Sequence, residues 1–204
     1  IFGNTLDSVI IRNNYVFMNK YSSSYNVYFQ SMNKFNFSNN TLILPNSYLA
    51  LYLYNCGNGA GNERNLISNN VVYSRNTSNG SYGFYLYYLY KTDIVHNTIK
   101  MENPSTNSSY VLYMYDGNKN KLYNNILSHF NTGYCLYLNN NFSIDSSDNN
   151  DFYTKGSILG YYAGSNALNL LDWQALTNKD KKSVSVDPIF KGVSNLHVKE
   201  VNLN

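Results

Sequence analysis

The chain reads as short apolar runs of two-residue period, cut every few residues by Asn, Gly and Ser. One unit recurs: apolar alternation, then Asn, then apolar alternation again. Its copies are IIRNNYVF (Ile10 to Phe17), NFSNNTLI (Asn36 to Ile43), LISNNVVY (Leu66 to Tyr73), IVHNTIK (Ile94 to Lys100) and LYNNILS (Leu122 to Ser128). A degenerate sixth is SSDNNDFY (Ser146 to Tyr153). The aligned residues are Asn14, Asn40, Asn70, Asn97, Asn125 and Asn150, spaced 26, 30, 27, 28 and 25 apart. A second unit, apolar–Tyr–apolar, falls between the copies: VYF (Val27 to Phe29), LYL (Leu51 to Leu53), FYL (Phe84 to Leu86), LYM (Leu112 to Met114) and LYL (Leu136 to Leu138). Two units sharing one period define a single repeat of about 27 residues.

The runs alternate, are four to eight residues long, and are rich in Tyr, Val, Ile and Phe, so they predict strands. The breakers between them leave no room for a long helix. Three strands and three turns per repeat predict an all-β parallel β-helix, a solenoid of about six coils. The general preference of parallel crossovers makes it right-handed. Coils are expected over 1–160. A C-terminal cap over 161–204, a short helix plus a final strand, belongs to the same domain. The aligned Asn residues have a structural reading. Asn tolerates the left-handed backbone of a sharp bend, and stacked amides can hydrogen-bond as a ladder.

Composition sharpens this picture. Of 204 residues, 15 are Lys or Arg and 12 Asp or Glu, only 13% charged, while 37 are Asn and 22 Tyr. Polarity is carried by neutral amides and hydroxyls. A net charge of +3, thinly spread, gives no basic patch for nucleic acid. Apolar runs reach about nine residues, too short for a membrane span. Cys56 and Cys135 are too far apart in sequence for a zinc site and are expected to be free thiols. Neither a metal nor a cofactor is expected.

These repeats resemble those of right-handed parallel β-helix proteins of the pectin-lyase-like superfamily, over about Val9 to Tyr153. The segment DWQALTNKDKKSVSVDPIF (Asp172 to Phe190) is similar to the closing segment of secreted bacterial members. The resemblance implies that the Tyr strands are the first strand of each coil and that their face binds polysaccharide. It also implies an extracellular or cell-surface location in a bacterium. The acidic pairs, calcium-binding Asp runs and Gly-His-Gly strings of the family's enzymes are missing.

The candidate site is the Tyr face. With the flanking apolar residues pointing inward, Tyr28, Tyr52, Tyr85, Tyr113 and Tyr137 point out, as do Tyr54, Tyr87 and Tyr115 two residues on. A large exposed aromatic patch marks an interaction site. Three readings stay open: glycan binding, aromatic stacking for stability alone, and a protein interface such as a homo-oligomer seam. The long turn Asn55 to Arg64 flanks this face, and Glu63 and Arg64 are the expected contacts to a charged ligand. Two further long turns are Ser74 to Ser81 and Asn103 to Ser109. Trp173 is read as a cap anchor within a helical face that includes Leu168, Leu171 and Leu176. No cap is visible at the other end, so further coils or a partner are expected there. The chain starts at Ile1 with no signal peptide, as in a mature or excised product. The leading function is a polysaccharide-binding module. A lyase or glycoside hydrolase of the same superfamily and an oligomerising adhesin are the alternatives.

Overall fold

The computed structural model describes residues 2–4, 6–19, 22–75, 80–102 and 109–199. Most of the two turns at Ser74 to Ser81 and Asn103 to Ser109 lies outside these residues. The chain winds through three strands per coil. The first coil is β1 (Phe2–Asn4), β2 (Ile10–Arg12) and β3 (Tyr15–Phe17). The second is β4 (Ser22–Gln30), β5 (Asn36–Ser38) and β6 (Thr41–Leu44). Then follow β7 (Ser47–Cys56), β8 (Asn65–Ser68), β9 (Val71–Ser74), and β10 (Ser81–Tyr90), β11 (Thr92–Val95), β12 (Thr98–Met101). The last coils are β13 (Ser109–Asn118), β14 (Asn120–Tyr123), β15 (Ile126–His129), and β16 (Tyr134–Leu138), β17 (Ile144–Asp148), β18 (Asp151–Thr154). Finally β19 (Gly160–Tyr162) and β20 (Ser165–Ala167) form a small hairpin ahead of helix α1 (Leu170–Thr177).

Each strand pairs in parallel with its equivalents one coil away, which gives three sheets along the solenoid. The first sheet runs from β1 through β4, β7, β10, β13 and β16 to β19. The second and third are each six strands deep. The core fills by register. Phe37, Ile67, Ile94 and Leu122 stack inside the second sheet, and Leu42, Val72, Ile99, Leu127 and Phe152 inside the third. All are buried. Each rung therefore covers the apolar surface of the next, and removing that area from water is the main stabilising term.

The Asn pairs divide two functions that the sequence assigned to one residue. The left-handed residue is the first of each pair: Asn13, Asn39, Asn69, His96, Asn124 and Asn149, with φ of 52–58°. These side chains are exposed, so His96 replaces a bend residue and is no part of the ladder. The second residue is outside the left-handed region and carries the ladder. From Asn14 to Asn150, each Nδ2 donates to the next Oδ1 at 2.9–3.1 Å. The same Oδ1 accepts the backbone N–H of the Asn above it, as Asn125 does from Asn97 at 2.9 Å. The second hydrogen of each buried amide reaches a carbonyl of the preceding coil, such as Asn97 Nδ2 to Ile67 O at 2.9 Å. Each buried amide is thus fully used.

The far end is closed by α1 and the residues after it. Helix residues Leu170, Trp173 and Thr177 face the solenoid, and Trp173 lies over Gly160, where any Cβ would come within 2.9 Å of the indole ring. The expected apolar helical face is a correction: Leu168, Leu171 and Leu176 are exposed. The helix has only eight residues and docks along one narrow line, so two turns present a single large anchor. Trp173 Nε1 donates to Asp180 Oδ2 at 2.9 Å. The other oxygen of Asp180 accepts from Ser147 Oγ, Ser183 Oγ and Asn150 Nδ2 at 2.7–3.1 Å. A buried carboxylate so terminates the ladder. Beyond α1 the described residues form isolated bridges, Asp151 with Val184 and Phe190 with Val198. This tail returns along the third sheet. Leu196 packs on Ile43 and Tyr73, and Lys100, itself buried, pairs with Glu102 and donates to Val193 O.

Candidate functional site

The outer side of the first sheet is paved with tyrosine. The central column is in strict register, Tyr28, Tyr52, Tyr85, Tyr113, Tyr137 and then Tyr161. Successive ring centroids are 5.0, 4.8, 5.0, 4.8 and 4.2 Å apart. From Tyr28 to Tyr137 their neighbours along each strand are buried, as the alternation demands. A second column, Tyr54, Tyr87 and Tyr115, stands two residues on, and the last two rings stack at 4.3 Å and 4°. Tyr87 and Tyr115 stack although a bulge puts Tyr87 opposite Asp116 in the backbone register.

A third column was not read from the sequence: Tyr48, Tyr82, Tyr110 and Tyr134, with centroids 5.7, 5.1 and 5.5 Å apart. Tyr82, Tyr110 and Tyr134 lie three residues before a central Tyr. On a flat strand that odd spacing would point them inward. Here two consecutive residues between the tyrosines are buried: Gly83 with Phe84, Val111 with Leu112, Cys135 with Leu136. The strand turns a corner there. Rings that would sit about 10 Å apart along a straight strand approach to 4.7 Å for Tyr82 and Tyr85, and to 5.3 Å for Tyr110 and Tyr113. The available signal was Tyr-x-x-Tyr with two small or apolar residues between.

These tyrosines are half-buried. Burial first, then neighbouring hydroxyls, raises the phenol pKa of Tyr52, Tyr82, Tyr85 and Tyr113 and pushes that of Tyr137 to about 12. These five phenols therefore stay neutral and protonated across the physiological range. Tyr28 donates to Gln30 Oε1 at 2.5 Å. The hydroxyls of Tyr52, Tyr85 and Tyr113 have no hydrogen-bond partner among the described residues and are not enclosed.

Glu63 and Arg64 sit in the turn beside this face and are engaged with other coils. Glu63 pairs with Lys34 at 3.3 Å, exposed, and Arg64 donates through two nitrogens to Asp93 Oδ1 at 2.7 and 2.9 Å. Lys91 Nζ donates to the carbonyls of Gly59 and Gly61, which ties the same turn down. Gly57 is needed in that turn: its φ is +81° and a Cβ would lie 2.0 Å from Tyr90 O.

The remaining chemistry-bearing groups serve the fold. Asp145, Asp148 and Asp151 accept backbone N–H groups of Lys119, Lys182 and Val186. Burial raises Asp151 to about 6, with Asp187 adding to the shift. His129 is buried and desolvation lowers its pKa to about 4. Cys56 and Cys135 are buried free thiols, with Cys56 pushed to about 11 by burial, so neither is a nucleophile at neutral pH. No group of three or more His, Cys, Asp or Glu among the described residues could hold a metal ion. Compared with family models, curated proteins and solved structures, the chain matches none of them.

Proposed function

We propose that this chain is a polysaccharide-binding β-solenoid module of the secreted or cell-surface kind, and that the glycan lies on the tyrosine face of the first sheet. The observation that carries the reading is the in-register column from Tyr28 to Tyr161, flanked by two shorter columns on a rigid scaffold. Ordered phenols at fixed spacing offer apolar edges and hydrogen-bonding hydroxyls to a regular polymer at little entropic cost. A glycan ligand and a bacterial, extracellular setting also fit the resemblance to pectin-lyase-like repeats. The test is retention in affinity gels across plant, algal and host polysaccharides. Retention abolished by Tyr85→Ala together with Tyr113→Ala is the expected result, and no retention by any polysaccharide would sink the reading. Unsaturated products or new reducing ends in the same panel would assign a lyase or hydrolase instead.

A second reading, a structural module that associates through its open end, is favoured by the first rung. Ile10, Tyr15 and Phe17 are 64%, 68% and 58% exposed there. The Oδ1 of Asn14 accepts no hydrogen bond among the described residues, whereas every later ladder Oδ1 through Asn150 accepts two. Light scattering decides it: concentration-dependent oligomers that Ile10→Lys disperses support association, and monomer at all concentrations removes it.

A further inference from the structure

We infer that the ligand of the tyrosine face is an uncharged, hydroxyl-rich polymer, a neutral polysaccharide, and that it is held by rows of phenol hydroxyls and not by ring faces. This rests on the glycan-binding reading and specifies its chemistry.

The ring faces are already occupied. Tyr113, Tyr137 and Tyr161 are stacked at 4.8 and 4.2 Å with interplanar angles of 10°, and Tyr87 lies on Tyr115 at 4°. The upper rings of the column are tilted by 41–44°, but at 4.8–5.0 Å from each other they leave no gap for a pyranose ring. What Tyr52, Tyr85 and Tyr113 keep available to a ligand is the hydroxyl, which is not enclosed. The hydroxyls of Tyr52, Tyr85 and Tyr113 lie on successive rungs without partners among the described residues. Each can donate one hydrogen bond and accept others. That matches a ligand whose own surface is hydroxyl groups.

Charge selects among such ligands. Strands β4, β7, β10, β13, β16 and β19 together hold one ionisable acid and no Lys, Arg or His. The acid is Asp116, which accepts from Gly117 N and from Asn140 Nδ2. An anionic chain would meet no counter-charge on the sheet and would face Asp116. In the turns on one side Lys34, Arg64 and Lys91 are engaged with Glu63, Asp93 and backbone carbonyls and Lys119 lies at the rim; in the turns on the other side Arg75 and Lys155 line a cavity with Glu102, and Lys155 lies over the Phe130 ring. Removing an ion from water without a partner is strongly unfavourable, while a neutral hydroxyl exchanges one hydrogen bond for another.

The experiment compares two substitutions at the same positions. Tyr85→Phe with Tyr113→Phe keeps the stacked column and removes two hydroxyls; Tyr85→Ala with Tyr113→Ala removes both. Binding is measured by affinity gel and calorimetry against neutral glucans, mannans and xylans and against polyuronides, with thermal melts as the folding control. Expected is binding to a neutral glycan that weakens about tenfold or more in the Phe pair, two lost hydrogen bonds of about 1 kcal/mol each, at an unchanged melting temperature. Full-strength binding by the Phe pair with loss in the Ala pair would overturn the hydroxyl mode and leave glycan binding standing. Polyuronide binding as tight as neutral binding would overturn the charge argument. No binding to any glycan by the unaltered chain would overturn this inference and the reading beneath it together.

Discussion

In each Asn-Asn pair one side chain faces water on a left-handed backbone and its successor, buried, carries the ladder. The two positions therefore differ in what substitution costs. Asn97→Ala orphans the N–H and amide of Asn70, which both donate to Asn97 Oδ1, and vacates the acceptor Ile67 O. A loss of about 3 kcal/mol is expected from leaving those buried groups unpaired. Asn69→Ala is expected to cost about 1 kcal/mol, the steric penalty of a Cβ residue at positive φ without a compensating polar side chain, and Asn69→Gly close to nothing. Denaturant midpoints check the order, and equal losses at 69 and 97 would refute the division. The sequence showed the register of these residues plainly because the repeat is periodic. It did not show which Asn of the pair bends, because both residue types are identical at that step, and only His96 breaks the tie. A second residue-scale expectation concerns acid. His129 has a folded pKa of about 4 against 6.5. Its neutral form thus contributes stability that is complete above pH 6.5 and is lost as pH falls toward 4, up to about 3 kcal/mol. Asp151, raised to about 6, has the opposite sign: its contribution is present below about pH 4 and is lost as pH rises through 6. In Asp151→Asn the opposing contribution is gone, so melting temperature should fall more steeply from pH 6.5 to 4 than in the unaltered chain. An identical profile would count against a raised Asp151.

At the scale of elements, the strands of the first sheet are the least regular and the most informative. Their periodicity gives Tyr52, Tyr85, Tyr113 and Tyr137 the outward direction expected of them. The corner at Gly83, Val111 and Cys135 gives the same direction to tyrosines three residues earlier, against simple alternation. The third column was therefore illegible to a two-residue rule, since a bend is set by how two adjacent inward side chains pack on other coils. The cap was legible in its anchor and not in its mechanism. Trp173 announced itself as the sole Trp, whereas Asp180 looked like one more charged residue in a polar stretch. Only the fold brings it 0% exposed beneath the indole and onto Asn150. Asp180→Ala leaves four donors without their acceptor. We expect a destabilisation of about 3 kcal/mol or more and faster amide exchange at Asn150 and Asp151, whose N–H groups belong to the last rung. Exchange that is unaltered there would mean the cap holds through Trp173 alone.

Across the whole molecule, stability should be graded along the axis. Among the described residues, interior rungs are covered on both sides, the last rung is covered by α1 and Asp180, and the first is covered on one side. Solenoids of this kind lose structure from uncovered ends. Amide exchange measured by mass spectrometry should be fastest in β2 and β3, slowest in β11 and β12, and intermediate in β17 and β18. Uniform protection would show that the first rung is covered in solution, as self-association would require.

The ladder also has a direction. Every amide in it is oriented alike, with Oδ1 toward the first rung and Nδ2 toward the last. Six aligned dipoles add like the peptide dipoles of a helix, so the column ends electron-rich at Asn14 and electron-poor at Asn150. The electron-poor end already meets a carboxylate, Asp180. The electron-rich end calls for donors, and a molecule that brings only carbonyls or carboxylates to that surface meets repulsion. The ladder is therefore a polar rod, and its Asn14 pole suits a neighbour that leads with N–H groups.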